Sequence, residues 1–162
     1  MRLTITSEVI DRRRRRTHVS DGFNGMETGI MFVITATRLR QALWLDAASC
    51  AFMGAGLLAF TGPLAALTAL PAILLTAAGA ALAPIAAVIA LTAARGTLSQ
   101  FLVAVIVWGN AGWVAVSLAL LGGLAPMNAY GVALVLLQAL AVAALTCVEA
   151  AGLKRFVAAK EA

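Results

Sequence analysis

The sequence predicts an all-α fold, a transmembrane four-helix bundle preceded by a polar N-terminal arm. Three observations carry that reading. Of the 162 residues, 62% are hydrophobic and 12% are charged, whereas soluble domains run near ~45–50% and ~25%. A chain this short has too much surface for its volume to hide so many apolar side chains from water. Four apolar stretches each approach the ~20 residues a helix needs to cross the hydrocarbon layer, and the basic residues alternate between the segments that join them. Together these exclude an ordinary soluble enzyme, a secreted disulfide scaffold and a disordered regulator.

Residues 1–28 read as a disordered basic arm of Ser, Thr, Asp, Gly and Arg without periodicity. No apolar stretch with a small-residue cleavage site follows the Arg12–Arg16 run directly, so the arm does not have the form of a signal peptide. Met26 and Met31 stand as alternative starts. Residues 29–158 form the four-span domain. Its first part, residues 29–37, is apolar but too short to cross, and reads as an interfacial helix or an extension of the first span.

The four spans are expected over about residues 43–61, 72–93, 101–121 and 129–151. Gly62-Pro63, Arg95-Gly96, and Gly122-Gly123 followed by Pro126 punctuate them. Pro63 to Leu70 is expected to form a short helix at the interface beyond the first span. None of the stretches shows the alternation of barrel strands. Pro84 removes one backbone bond inside the second span and is expected to bend it.

Orientation follows from where the twelve Lys and Arg fall. Arg2, Arg12 to Arg16, Arg38 and Arg40 precede the first span, Arg95 lies in the second connection, and Lys154, Arg155 and Lys160 follow the fourth span. The first and third connections carry no charge. Four spans with both termini cytoplasmic satisfy this pattern, and three or five do not.

Lipid gives no hydrophobic drive between helices, so close packing and interhelical hydrogen bonds must hold them. Gly54 and Gly56, the run Ala77–Ala81 around Gly79, and the pairs Ala111/Ala115 and Ala139/Ala143 offer the small surfaces this needs. Packing within the chain and self-association are both open to them.

Ionisable groups inside a span are costly and mark function or pairing. Asp46 lies one turn into the first span and Glu149 at the cytoplasmic end of the fourth. Arg38, Arg40, Lys154 and Arg155 are near enough in sequence to form a ring of ion pairs with them. The alternative is a protonatable site at the mouth of a cavity. Asp46 shares a helix face with Ser49, Met53, Gly56 and Phe60, and Asn110 shares one with Trp113 and Ser117. Gln138 and Glu149 share one on the fourth span. Asp46, Ser49, Asn110, Trp113, Gln138 and Glu149 are therefore the candidate intramembrane polar site. Depth counting places Asn110 and Gln138 near the midplane and predicts a hydrogen bond between them. Trp44 reads as an interfacial indole, while Trp108 and Trp113 read as deep, where an aromatic beside amides could face an apolar ligand.

No catalytic set is legible. There is no nucleophile–base pair, phosphate loop or metal-ligand spacing. Cys50 and Cys147 read as apolar filler, and no metal or cofactor is expected. The arginine run lacks the interleaved aromatics of a nucleic-acid binder and reads as a contact for anionic lipid headgroups. Nucleic acid is not an expected partner; membrane lipids are, with other membrane proteins or a second copy.

The string LRQALWLDAASC, the Gly-Pro after the first span, WGNAGWVAVS, and Gln138 to Glu149 with Gly152 and Arg155 resemble a group of small four-span bacterial inner-membrane proteins of unassigned function. The likeness covers about Leu39 to Arg155, and its motifs are hydrophobic and loosely specific. The plan is also similar to the DoxX-like four-helix membrane proteins. The resemblance implies a multi-pass protein of the bacterial inner membrane and no particular reaction. Two functions remain: a non-enzymatic accessory or structural component, or a small carrier or lipid/quinone-type binding protein with a polar intramembrane cavity. A packed interior with Asp46 paired favours the first, and a pocket reaching Asn110 favours the second.

Overall fold

Helices account for nearly every residue the computed structural model describes, which are residues 36–161. The arm, His18, the Arg12–Arg16 run, the alternative starts and most of the 29–37 segment lie outside them. Helix α1 covers Ala36–Ala59, α2 Thr61–Thr68, α3 Ala72–Ala94, α4 Gln100–Ala119 and α5 Ala129–Glu161. Four of these, with α4 continued to Leu124, are long and apolar enough to cross a membrane. The chain is a multi-pass membrane protein.

The first span begins at least seven residues earlier than expected and stops at Ala59, and α5 runs well past residue 151. Gly62-Pro63 does not form the break after the first span. The bend is at Phe60 (φ −116°, ψ 24°), and Gly62 and Pro63 lie in the first turn of α2. Proline is tolerated there because the first N–H groups of a helix have no intrahelical partner. The expected short helix between the first two spans is thus α2. It ends at Ala69, whose left-handed backbone (φ 57°) turns the chain toward Pro71. Helix α3 continues as a helix through Pro84.

Ser99 caps α4, its hydroxyl accepting from the Leu102 N–H at 3.5 Å. The far end of α4 widens into a π-helical turn, Leu120–Leu124. Gly123 takes φ 103° in that turn, a conformation that a side chain would strain. Asn128 starts α5, its Oδ1 accepting from the N–H groups of Tyr130 (3.0 Å) and Gly131 (3.1 Å). Its Nδ2 donates to the Leu67 carbonyl of α2 at 2.8 Å.

Small residues let α1 and α3 approach closely. A Cβ at Gly79 would stand 2.9 Å from Leu58 Cγ and 3.1 Å from the Gly54 carbonyl oxygen. Gly54 and Gly79 therefore serve packing within the chain. Gly56 faces open space. Leu39, Leu43, Ala47, Leu82, Ile89, Val103 and Ile106 fill the interior. Phe52 (84% exposed), Ile73 (78%) and Trp108 (77%) point outward. Apolar groups of that size on the outside are stable in lipid and not in water.

At one end of the bundle, Arg40 of α1 donates to the carbonyls of Arg95 (3.0 Å) and Gly96 (3.1 Å). Leu39 lies against Gly152 of α5. The start of α1, the α3–α4 connection and the last turns of α5 thus share one end. That end also carries Arg38, Lys154 and Arg155, while the opposite connections are uncharged.

Candidate functional site

The predicted polar residues fall into two separate clusters. In the first, Asn110 of α4 stands between two carboxyl groups. Its Nδ2 donates to Asp46 Oδ2 at 2.8 Å and to Glu149 Oε2 at 3.3 Å. Asp46 and Glu149 are both 0% exposed. The Cys50 thiol, one turn along α1, approaches Asp46 Oδ1 at 3.8 Å. Glu149 Oε1 is buried and has no hydrogen-bond partner among the described residues.

In the second cluster, Trp113 Nε1 donates to Gln138 Oε1 at 2.8 Å and Gln138 Nε2 donates to Ser117 Oγ at 2.8 Å. The Ser117 hydroxyl donates back to the Trp113 carbonyl at 2.8 Å. Each of these donors has an acceptor within the cluster.

The expected Asn110–Gln138 bond is therefore absent. Helices α4 and α5 run antiparallel, and their register brings Asn110 level with Glu149. Gln138 is eleven residues from Glu149, ~16 Å along the helix at 1.5 Å per residue, and it meets Trp113 and Ser117 instead. The starts of α4 and α5 fall within a residue of their expected places, but α4 is continued to Leu124, so depths counted from opposite ends leave the two amides on either side of the middle and not level with each other. The ring of ion pairs is also not formed among the described residues. The partners of the carboxyls there are Asn110 and Cys50, and Arg40 is occupied at the α3–α4 connection.

Three further expectations change. Cys50 is a neighbour of Asp46 rather than filler, and the i, i+4 spacing was the available signal. Trp108 faces outward, and only Trp113 of the two reaches the interior. On the Asp46 face, Gly56 meets open space and Phe60 is exposed. Ser49 stays near Asp46, but its hydroxyl donates to the Asp46 backbone carbonyl (2.9 Å). Trp44 is about half-exposed.

Between the clusters lies a cavity of about 370 Å³. Ser49, Cys50 and Met53 of α1 line it with Leu82, Ile85 and Val88 of α3. Asn110 and Trp113 of α4, and Gln138, Val142 and Leu145 of α5, also line it. The lining is mostly apolar. Exposed Ile85, Val88, Val105 and Gly109 belong to it, so the chamber is partly open at the surface of the spans. Asp46 is one helical turn beyond Cys50, and Glu149 one turn beyond Leu145. The carboxyl cluster accordingly sits ~5–6 Å past the lining, behind Asn110, at the end nearer the basic residues.

No family model, curated protein or solved structure matches the chain. The chemistry of the site is therefore read from its own residues. Among the described residues no group of three or more His, Cys, Asp or Glu is arranged to hold a metal ion.

Proposed function

We propose that this chain is a non-enzymatic binding protein or small carrier for an apolar, lipid-like molecule. We place it in the bacterial inner membrane with both termini in the cytoplasm. The cavity reaching Asn110 is the observation that supports this reading over a purely structural role. Its volume, about 370 Å³, falls within the ~300–1,000 Å³ typical of small-molecule sites, and its few polar groups in an apolar wall match their usual composition. The partial opening at the surface of the spans gives a molecule dissolved in lipid a route in without crossing water. Basic residues gathered at one end of the bundle support the assigned sidedness.

Gly109 provides the test. It lines the cavity, yet a Cβ placed there meets nothing within 4 Å, so Gly109→Leu fills space without forcing a helix to move. Gly112 is equally open and lies outside the lining. Mass spectrometry of the purified protein should detect a retained apolar molecule in the wild type and in Gly112→Leu, and not in Gly109→Leu. Equal retention in all three refutes the cavity as the binding site.

A further inference from the structure

The polar groups around the cavity differ in what they still lack. At the end away from the basic residues, the donors of Trp113, Gln138 and Ser117 are already engaged with one another. At the other end, Asn110 Nδ2 gives its hydrogens to Asp46 and Glu149. A ligand whose polar part is an acceptor, such as a quinone carbonyl, finds at these groups only the second hydrogen of Gln138 Nε2 not already given to a neighbour.

The unmet need is for a donor. Two carboxyl groups present four oxygens, each with more than one acceptor position. Among the described residues they receive one amide nitrogen and one weak thiol contact. Glu149 Oε1, fully buried, receives nothing. A buried carboxylate without donors is unfavourable, and a cation hydrogen-bonded to both carboxylates offsets part of that cost. An ammonium group brings three donors and a positive charge; a hydroxyl brings one donor and no charge. The carboxyls lie one turn past the cavity wall on two helices, with Asn110 and Cys50 between. A head group at that end of the cavity therefore reaches them by displacing one amide side chain.

Resting on the binding reading above, we propose that the ligand is a lipophilic amine, with its apolar body among Met53, Ile85, Val88 and Val142 and its ammonium head against Asp46 and Glu149. The apolar wall excludes a small hydrated amine, and the carboxyls disfavour a fatty acid.

The test uses the full chain in vesicles of zwitterionic lipid. The variant Trp44→Phe/Trp108→Phe leaves Trp113 as the tryptophan at the cavity wall. The variant Trp44→Phe/Trp113→Phe leaves Trp108, which faces the bilayer and reports the probe concentration there. Three probes of equal chain length, 12-bromododecylamine, 12-bromododecanol and 12-bromododecanoate, quench whichever indole they approach. At equal Trp108 quenching, the amine is expected to half-quench Trp113 at no more than one tenth of the concentration the alcohol needs, with the carboxylate weakest. Asp46→Asn/Glu149→Gln should abolish the advantage of the amine and leave the alcohol unchanged. Equal quenching by amine and alcohol in the otherwise unaltered chain overturns the proposal, and that comparison does not depend on the carboxyl variants folding. An amine advantage that survives in a folded double variant also overturns it. Alcohol quenching that Gly109→Leu abolishes, with no amine advantage, rejects the amine and leaves the cavity reading standing. Failure of all three probes to quench Trp113 rejects both.

Discussion

Replacing Asn110 by Leu tests whether one amide holds three spans in register. Its Nδ2 is the donor to Asp46 Oδ2 (2.8 Å) and Glu149 Oε2 (3.3 Å). Leucine keeps comparable bulk and removes both bonds. A buried acceptor left without its donor costs about 1–3 kcal/mol, whereas interhelical hydrogen bonds in membranes average about 0.6 kcal/mol because freed groups find other partners. Here re-pairing is restricted. Both carboxyls are fully buried, and Glu149 already has one oxygen unmet. The shorter bond weighs near the middle of the first range and the longer one near the second value. The expected loss is thus about 2–3 kcal/mol, roughly a 30- to 150-fold change in the unfolding equilibrium. Titration of the purified protein with sodium dodecyl sulfate in mixed micelles, followed by tryptophan fluorescence and circular dichroism, measures it. The companion variant Asp46→Leu/Asn110→Leu/Glu149→Leu removes the acceptors as well. It should recover at least half of the loss, because an apolar replacement of the whole cluster leaves nothing unsatisfied. A single variant within 0.5 kcal/mol of wild type, or a triple variant less stable than the single, would refute the reasoning.

Three further substitutions probe the frame around the site. Gly79→Val places a branched side chain where a Cβ already stands 2.9 Å from Leu58 Cγ and 3.1 Å from the Gly54 carbonyl. It should destabilise by about 1–3 kcal/mol through overpacking, while Gly56→Ala, facing open space, should stabilise by about 0.5–1 kcal/mol; the same detergent titration reads both. Asn128→Ala removes the acceptor for two N–H groups at the start of α5 and the tie to Leu67. It should cost about 1–2 kcal/mol and speed hydrogen exchange at the Tyr130 and Gly131 amides, with exchange in the middle of α4 unchanged.

What hydropathy could reveal was the number of spans. Four apolar stretches separated by Gly and Pro read as four helices, and the position of the basic residues read as an even count. Asp46, Asn110 and Glu149 could be singled out because polar groups are scarce in such a sequence. Their grouping could not be read in advance. Pairing between helices depends on rotation about each axis and on vertical offset, and a helix apolar on all sides shows neither. Asn110 and Gln138 looked like partners because each is about a dozen residues from an expected span end. Those ends agree with the observed starts of α4 and α5, but hydropathy does not register the vertical offset that brings Asn110 level with Glu149 and Gln138 level with Trp113 and Ser117. Cys50 was missed for a different reason: a thiol four residues from a carboxyl gains meaning only when both turn inward. The cavity had no sequence signal of its own, since its wall is made of the same Ile, Val, Leu and Met that elsewhere face lipid.

The length of α5 has a mechanical consequence. Its 33 residues make a rod of ~50 Å, about 20 Å longer than the hydrocarbon layer is thick. Near one end it is pinned, because Gly131 lies against the Thr68 carbonyl with no room for even a methyl group. Glu149 rides partway along, and Lys154 and Arg155 lie beyond it. A 10° swing about Gly131 carries the tip at Glu161 through about 8 Å, and carries Glu149 little more than half as far. Any displacement of Glu149 about that pivot is therefore enlarged less than twofold at the tip of α5.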